Sequence, residues 1–409
     1  MTRVVKNIKH RAGLIIWNAT FIVIALLLTD IVLTKFNFIQ LDFYRDGNQD
    51  YGFIGPLKII NTSGGENSSR INIAVLGDSH HEHLDSNREV HQSVHLKNYL
   101  EKKGVNARLI SLGTPRHSII QELLVYEKLI RPQYDIDIVI FMCYAGNDFA
   151  EMIRKDDRPR VDFKSDGEPI LTPPKWILQR PATEPINQWP RDSRLLHALN
   201  RLTDHNLVLK LVAANDALTV FNPSIRKKLQ YFAALRKMRD ERFGYSGAAA
   251  AEFLNQYYIY HLYPEKFALE IRKRVDYFFN VIRNEKYRER VLLFYLPSAP
   301  VVNAMTSKNN AILDDILESL GLEDVSFSAL EREFYEILQD AKRSSVSKVE
   351  LYDLTAPLRQ AIERDAVKTD FYDSPTIHVD AKARAVIGRE FGKRVVGGPI
   401  TALHGTRIR

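Results

Sequence analysis

An α/β fold with a mostly parallel sheet is what this 409-residue chain predicts, and two observations predict it. Between residues 71 and 143, and again from 290 to 396, short apolar runs alternate with segments whose apolar residues recur at helical spacing. Strands separated by helices in this way pair parallel and carry helices on both faces of the sheet. The second observation is what stands where the runs stop: Gly77-Asp78-Ser79, Gly113, and Ala145-Gly146-Asn147-Asp148. Such sheets gather their ligands at the carboxyl ends of the strands.

Taken in order, Ile71–Leu76 is the first strand. The helix after it covers roughly 88–103, with Val94, Tyr99 and Leu100 as apolar positions and Gly104 as its stop. Ala107–Leu112 is the second strand. A helix follows from about Ser118 to Ile130, where Ile119, Leu123, Tyr126 and Ile130 share a face. Asp137–Cys143 is the third strand. The alternation then stops, because residues 151–190 carry seven prolines and cannot form a packed helix. Residues 193–285 read as several helices, so 151–287 is expected as an insertion that forms a lid over the site or flanks it. Alternation resumes with Arg290–Leu296, helices near 309–319 and 326–342, a strand at Val349–Leu354 and a last helix at about 380–396. Residues 71–150 and 288–397 thus form one α/β domain, followed by a tail over 398–409.

The N-terminus has a different character. Ala12 to Thr29 is uncharged and mostly apolar, and continues after Asp30 through Ile31, Val32 and Leu33, long enough to cross a bilayer as a helix. Arg3, Lys6, Lys9 and Arg11 precede it without an acid, which keeps that end cytoplasmic. No small-x-small cleavage site follows. Residues 1–35 are therefore expected as a cytoplasmic tip and uncleaved anchor, 36–70 as a turn-rich tether, and the rest as extracytoplasmic, periplasmic or at the cell surface. The formal net charge of +7 is carried by scattered residues, without the basic stripe that nucleic-acid binding needs. The single cysteine, Cys143, lies in an apolar run and is expected as packing.

The strand ends, together with a loop that delivers His378 before the last helix, supply the parts of acyl transfer. That chemistry needs a nucleophile, a base within hydrogen-bond reach, and donors aimed at the developing oxyanion. Ser79 and His378 are the first two; the Ser79 N–H, the Gly113 N–H and the Asn147 amide are the donors. His80, His81 and His83 with Glu82 invite a metal reading, but no second ligand pair with suitable spacing follows, and neither metal nor cofactor is expected. The aromatic run Tyr257, Tyr258, Tyr260 and Tyr263 reads as core or lid packing, with sugar stacking as the alternative.

These blocks, in this order, resemble the SGNH (GDSL-like) hydrolase superfamily: Gly77-Asp78-Ser79, Gly113 in Leu112-Gly113-Thr114-Pro115, Gly146-Asn147-Asp148, and His378. The resemblance covers 71–149 and about 290–396. It implies a flavodoxin-like three-layer sandwich with a five-stranded sheet, and ester or acyl chemistry on lipids or O-acetylated glycans. The family places an aspartate two or three residues before the histidine, where this chain has Thr376 and Pro375. Asp373, five before, is the expected orienting acid, with Asp370 and Asp380 as weaker substitutes. His80 follows the serine where the family has leucine or an aromatic. The expectation is a membrane-anchored serine esterase acting on acyl esters, O-acetyl above all, of an envelope or exported polysaccharide. An O-acyltransferase using the same residues, and a non-catalytic glycan-binding or assembly protein, are the alternatives.

Overall fold

Among the described residues, six strands form one sheet in the order β1-β3-β2-β4-β7-β8, and β5–β6 form a separate antiparallel pair. The computed structural model describes residues 57–63, 70–82, 91–153, 159–172, 256, 260–283, 287–302, 318, 327–345, 347–365, 372 and 378–398. All of them belong to one compact unit made from 44–179 and 212–409. The strands are β1 (Lys58–Asn61), β2 (Ile71–Gly77), β3 (Ala107–Gly113), β4 (Ile138–Tyr144), β5 (Arg160–Phe163), β6 (Pro169–Thr172), β7 (Arg290–Leu296) and β8 (Glu350–Asp353). β2, β3, β4, β7 and β8 pair parallel, whereas β1 lies antiparallel on the outer edge of β3.

β2, β3, β4 and β7 bury both faces, and their residues divide strictly by parity. Ala74, Leu76, Val139, Phe141, Cys143, Val291 and Leu293 face one apolar layer. Ile73, Val75, Ile138, Ile140, Met142, Leu292 and Phe294 face the other. Strands buried on both faces lose the polar alternation of a one-sided sheet, which is why β4 reads as a continuous apolar run.

The first layer is closed by α2 (Ile119–Val125), α4 (Pro264–Arg283) and α5 (Phe327–Ser345), and the second by α1 (Gln92–Lys102), α6 (Thr355–Arg364) and α7 (Ala381–Gly397). The helix ends follow local chemistry. α1 stops in a Schellman arrangement: the Val105 N–H donates to Leu100 O, the Gly104 N–H donates to Glu101 O, and Gly104 takes φ +69°. α2 starts with a capping box between Ser118 and Gln121. It runs on through a π-turn at Tyr126–Ile130, and α7 is capped by Asp380.

Three expectations are corrected. The segment expected as tether contributes β1, whose residues 58–61 pair with Arg108–Ser111. The Pro-rich stretch contains the β5–β6 hairpin. Most notably, the end of the presumed insertion is α4, which buries Phe267, Ile271, Val275, Phe278, Phe279 and Ile282 in the sheet's first layer. Each such side chain contributes about 1.5–3 kcal/mol on burial, so α4 belongs to the core of the α/β domain. The anchor over residues 12–33, most of 173–259, and the helix expected near 309–319 apart from Glu318 lie outside the described residues. Among the described residues, no helix is long and apolar enough to cross a membrane.

Candidate active site

β2, β3 and β4 are neighbours, so the polar residues that follow them arrive at one rim. Gly77 is in register with Gly113, and the Thr114 N–H donates to Gly77 O at 2.9 Å, which ties the two strand exits together. Ser79 opens a three-residue 3-10 turn, Ser79–His81. Asp78 caps that turn, accepting the His80 N–H at 2.9 Å on Oδ1. Ser79 itself is only partly buried.

Gly113 has a steric reason to be glycine. A Cβ at this position would overlap the backbone carbonyl of His81 and crowd the Glu82 nitrogen. The exit of β3 and the back of the serine turn thus touch backbone to backbone. Three residues after Gly113, Arg116 adopts φ 63°, an uncommon conformation for a residue with a side chain.

Asn147 precedes α3 (Asp148–Ile153), and its carbonyl accepts the first helical N–H, from Glu151, at 2.9 Å. An asparagine in such a position normally caps the helix through Oδ1. Here Oδ1 makes no hydrogen bond among the described residues, so capping does not consume the amide. The loop that bears Asn147 is clamped by Gln256, which is fully buried. Its Nε2 donates to Ala145 O at 2.6 Å and its Oε1 accepts from Ala150 N at 3.1 Å.

The histidine predicted from the last loop meets this rim. The His378 ring lies 5.0 Å, centroid to centroid and edge-on, from His80, the residue directly after Ser79. Next to His378, the Val379 N–H donates to His80 Nδ1 at 3.3 Å. Ser79 and His378 are therefore carried by two segments in direct contact. Asp373 and Asp370 lie outside the described residues. Asp380, the other substitute, spends its Oδ1 on the Ala383 N–H at 2.8 Å, capping α7; partial burial raises its carboxyl above the ordinary range.

Two buried polar groups that sequence reasoning missed support the serine turn. On the α1 side, Gln92 Nε2 donates to His80 O and to His81 Nδ1, both at 2.8 Å. His81 Nδ1 is therefore an acceptor, its proton sits on Nε2, and it donates to Ser111 Oγ at 2.9 Å. Ser111 and Ser93 hydroxyls are bonded at 2.7 Å. The Ser93 N–H donates to His91 Nδ1 at 3.1 Å, so His91 is neutral too and donates from Nε2 to His81 O at 3.1 Å.

On the α2 side, the carboxyl groups of Asp78, Glu122 and Asp148 are all buried. Burial, reinforced by the Asp78 charge, raises Glu122 well above the carboxylate range. Asp148 is raised likewise, by burial and then by Asp78 and Glu122. Its Oδ2 accepts the Tyr144 N–H at 2.8 Å. Burial and the same three acids push the Cys143 thiol up, which leaves it inert packing. Glu122 was legible in principle, since a glutamate falls on the apolar face of α2 between Ile119 and Tyr126.

Among the described residues, no group of three or more His, Cys, Asp and Glu is arranged to hold a metal ion, and His83 lies outside them. Tyr260 packs on Phe267 and Phe334, with its hydroxyl donating to Glu333. Tyr263 packs on the first layer, and Tyr257 and Tyr258 lie outside the described residues. Compared with known proteins, the chain matches no family model, and no curated protein is significantly similar to it.

Proposed function

We propose that this protein is a serine esterase of the SGNH type, with a flavodoxin-like sheet. Ser79 attacks an ester carbonyl as His378 takes its proton; the imidazolium passes that proton to the departing alcohol, and His378 then activates the water that cleaves the acyl-enzyme to free acid and Ser79. The Ser79 and Gly113 N–H groups and the Asn147 amide hold the oxyanion, and Asp373 orients the imidazole. The observation that carries this reading is the contact between the His378 segment and the turn bearing Ser79, the two segments meeting through His80 at a ring separation of 5.0 Å. Further support comes from the parallel strand order β3-β2-β4-β7-β8, doubly wound with β2 at its switch point.

The substrate class we infer is an acyl ester, O-acetyl above all, on an envelope or exported glycan. The chain would reach it as a single-pass protein anchored by residues 12–33, with the α/β domain outside the cytoplasm. The test is hydrolysis of a short-chain acyl ester by the purified protein, with Ser79→Ala as control. Release of free acid that the substitution abolishes supports an esterase, and acyl transfer to a glycan hydroxyl makes it a transferase. An Ser79→Ala variant that retains full function sinks both.

A further inference from the structure

We infer that His80 is the positioning residue of this site: through Nδ1 it holds the His378 segment against the serine turn. This rests on the Ser79–His378 reading and adds a residue to it. The argument begins with the backbone. Asp78 binds the His80 N–H at 2.9 Å, so the serine between them is fixed on the protein side. The His80 side chain then reaches across to the last loop, where Nδ1 accepts the Val379 N–H at 3.3 Å. His378 and Val379 are separated from the serine turn by 299 residues of sequence, and this bond closes that distance.

The ring has little freedom to do anything else. It is 2% exposed, packs 3.9 Å from the Tyr144 ring, and meets the edges of His378 and Tyr372. The positions of these partners depend on one another. Gly146 leaves room for Tyr144, since a Cβ there would stand 2.5 Å from its ring. Tyr372 is bridged to Val379 and donates its hydroxyl to Pro297 O. A bond accepted at Nδ1 requires the neutral imidazole, with its proton on Nε2. Burial, and after it the His378 and Arg384 groups facing the ring, hold its proton affinity well below the ordinary histidine value. A leucine or phenylalanine here would fill the space and leave the Val379 N–H without this acceptor.

Acceptor geometry separates this role from packing. Asparagine places its Oδ1 near the position of the histidine Nδ1, glutamine places its oxygen one bond further out, and phenylalanine fills the space with no acceptor. In the full-length chain, the His80→Asn variant is expected to keep the Val379 amide protected from hydrogen exchange. It should also label at Ser79 with a fluorophosphonate within about threefold of the parent, whereas H80Q and H80F expose the amide and label about 10²-fold more slowly. Should H80F fail to fold, as thermal melting would show, the Asn and Gln variants decide between them. Equal amide protection and equal labelling in all three variants would overturn the inference. A parent protein that does not label at all would sink the serine reading instead, and amide exchange alone would then decide whether His80 holds the segment.

Discussion

The two flanks of the serine turn are built from opposite chemistry. Toward α1, His81, His91, Gln92, Ser93 and Ser111 form a neutral network whose imidazoles and hydroxyls are bonded to one another, with Gln92 Oε1 making no hydrogen bond among the described residues. Toward α2, three carboxyl groups share a buried space, and Glu122 Oε1 and Asp148 Oδ1 make no hydrogen bond among the described residues. A neutral hydrogen-bonded network fixes geometry without burying charge, whereas carboxyl groups left without partners are buried at least cost by keeping their protons. The α1 flank thus sets where the turn lies, and the α2 flank makes the protein's stability depend on pH.

The sharpest way to separate this scaffolding from the chemistry it holds is to remove the rim residues. His378→Ala is expected to lower kcat/KM for an acyl ester by about 10⁴-fold or more. Asn147→Ala should lower it by about 10²–10³-fold. Both variants should keep the parent's melting temperature within a few degrees. Gly113→Ala breaks the scaffold instead: a methyl group driven into the His81 carbonyl forces backbone to move. A loss of about 1–3 kcal/mol in denaturant unfolding is expected, with activity falling alongside.

The acid flank makes a prediction of definite sign. In the unfolded chain Glu122 and Asp148 lose their protons in the ordinary carboxylate range; in the folded protein they hold them to higher pH. The folded state therefore binds more protons in that window, and stability falls as pH rises through it, by up to about 1.4 kcal/mol per pH unit for each group. Glu122→Gln, measured by unfolding at pH 5 and pH 8, should flatten this slope. A slope unchanged by the substitution would mean that the glutamate is ionised and satisfied. On the neutral flank, Ser93→Ala deletes one hydroxyl of the network and should cost about 1 kcal/mol at either pH.

What the sequence made legible follows from how local each signal is. β2, β3, β4 and β7 are buried on both faces and announce themselves as apolar runs, and the ends of α1, α2 and α7 are set by Gly104, Ser118 and Asp380. β1 left no such mark. It is a four-residue edge strand with Ile59 44% exposed, formed by its ladder with β3 rather than by a pattern of its own. α4 was hidden for another reason: the prolines before it broke the alternation and drew it into the presumed insertion. Its place was nonetheless implied, since the parallel pair β4–β7 needs a crossover, usually a helix. At the site, Ser79, Gly113, Asn147 and His378 could be read from motif order. The roles of His80 and Gln256 could not, because their partners lie far away along the chain.

The most direct measurement is mass-spectrometric mapping of fluorophosphonate labelling in the full-length protein. The account predicts a single adduct on Ser79, lost in Ser79→Ala and slowed at least about 10³-fold in His378→Ala. Labelling elsewhere, no labelling, or a rate indifferent to His378 would contradict it.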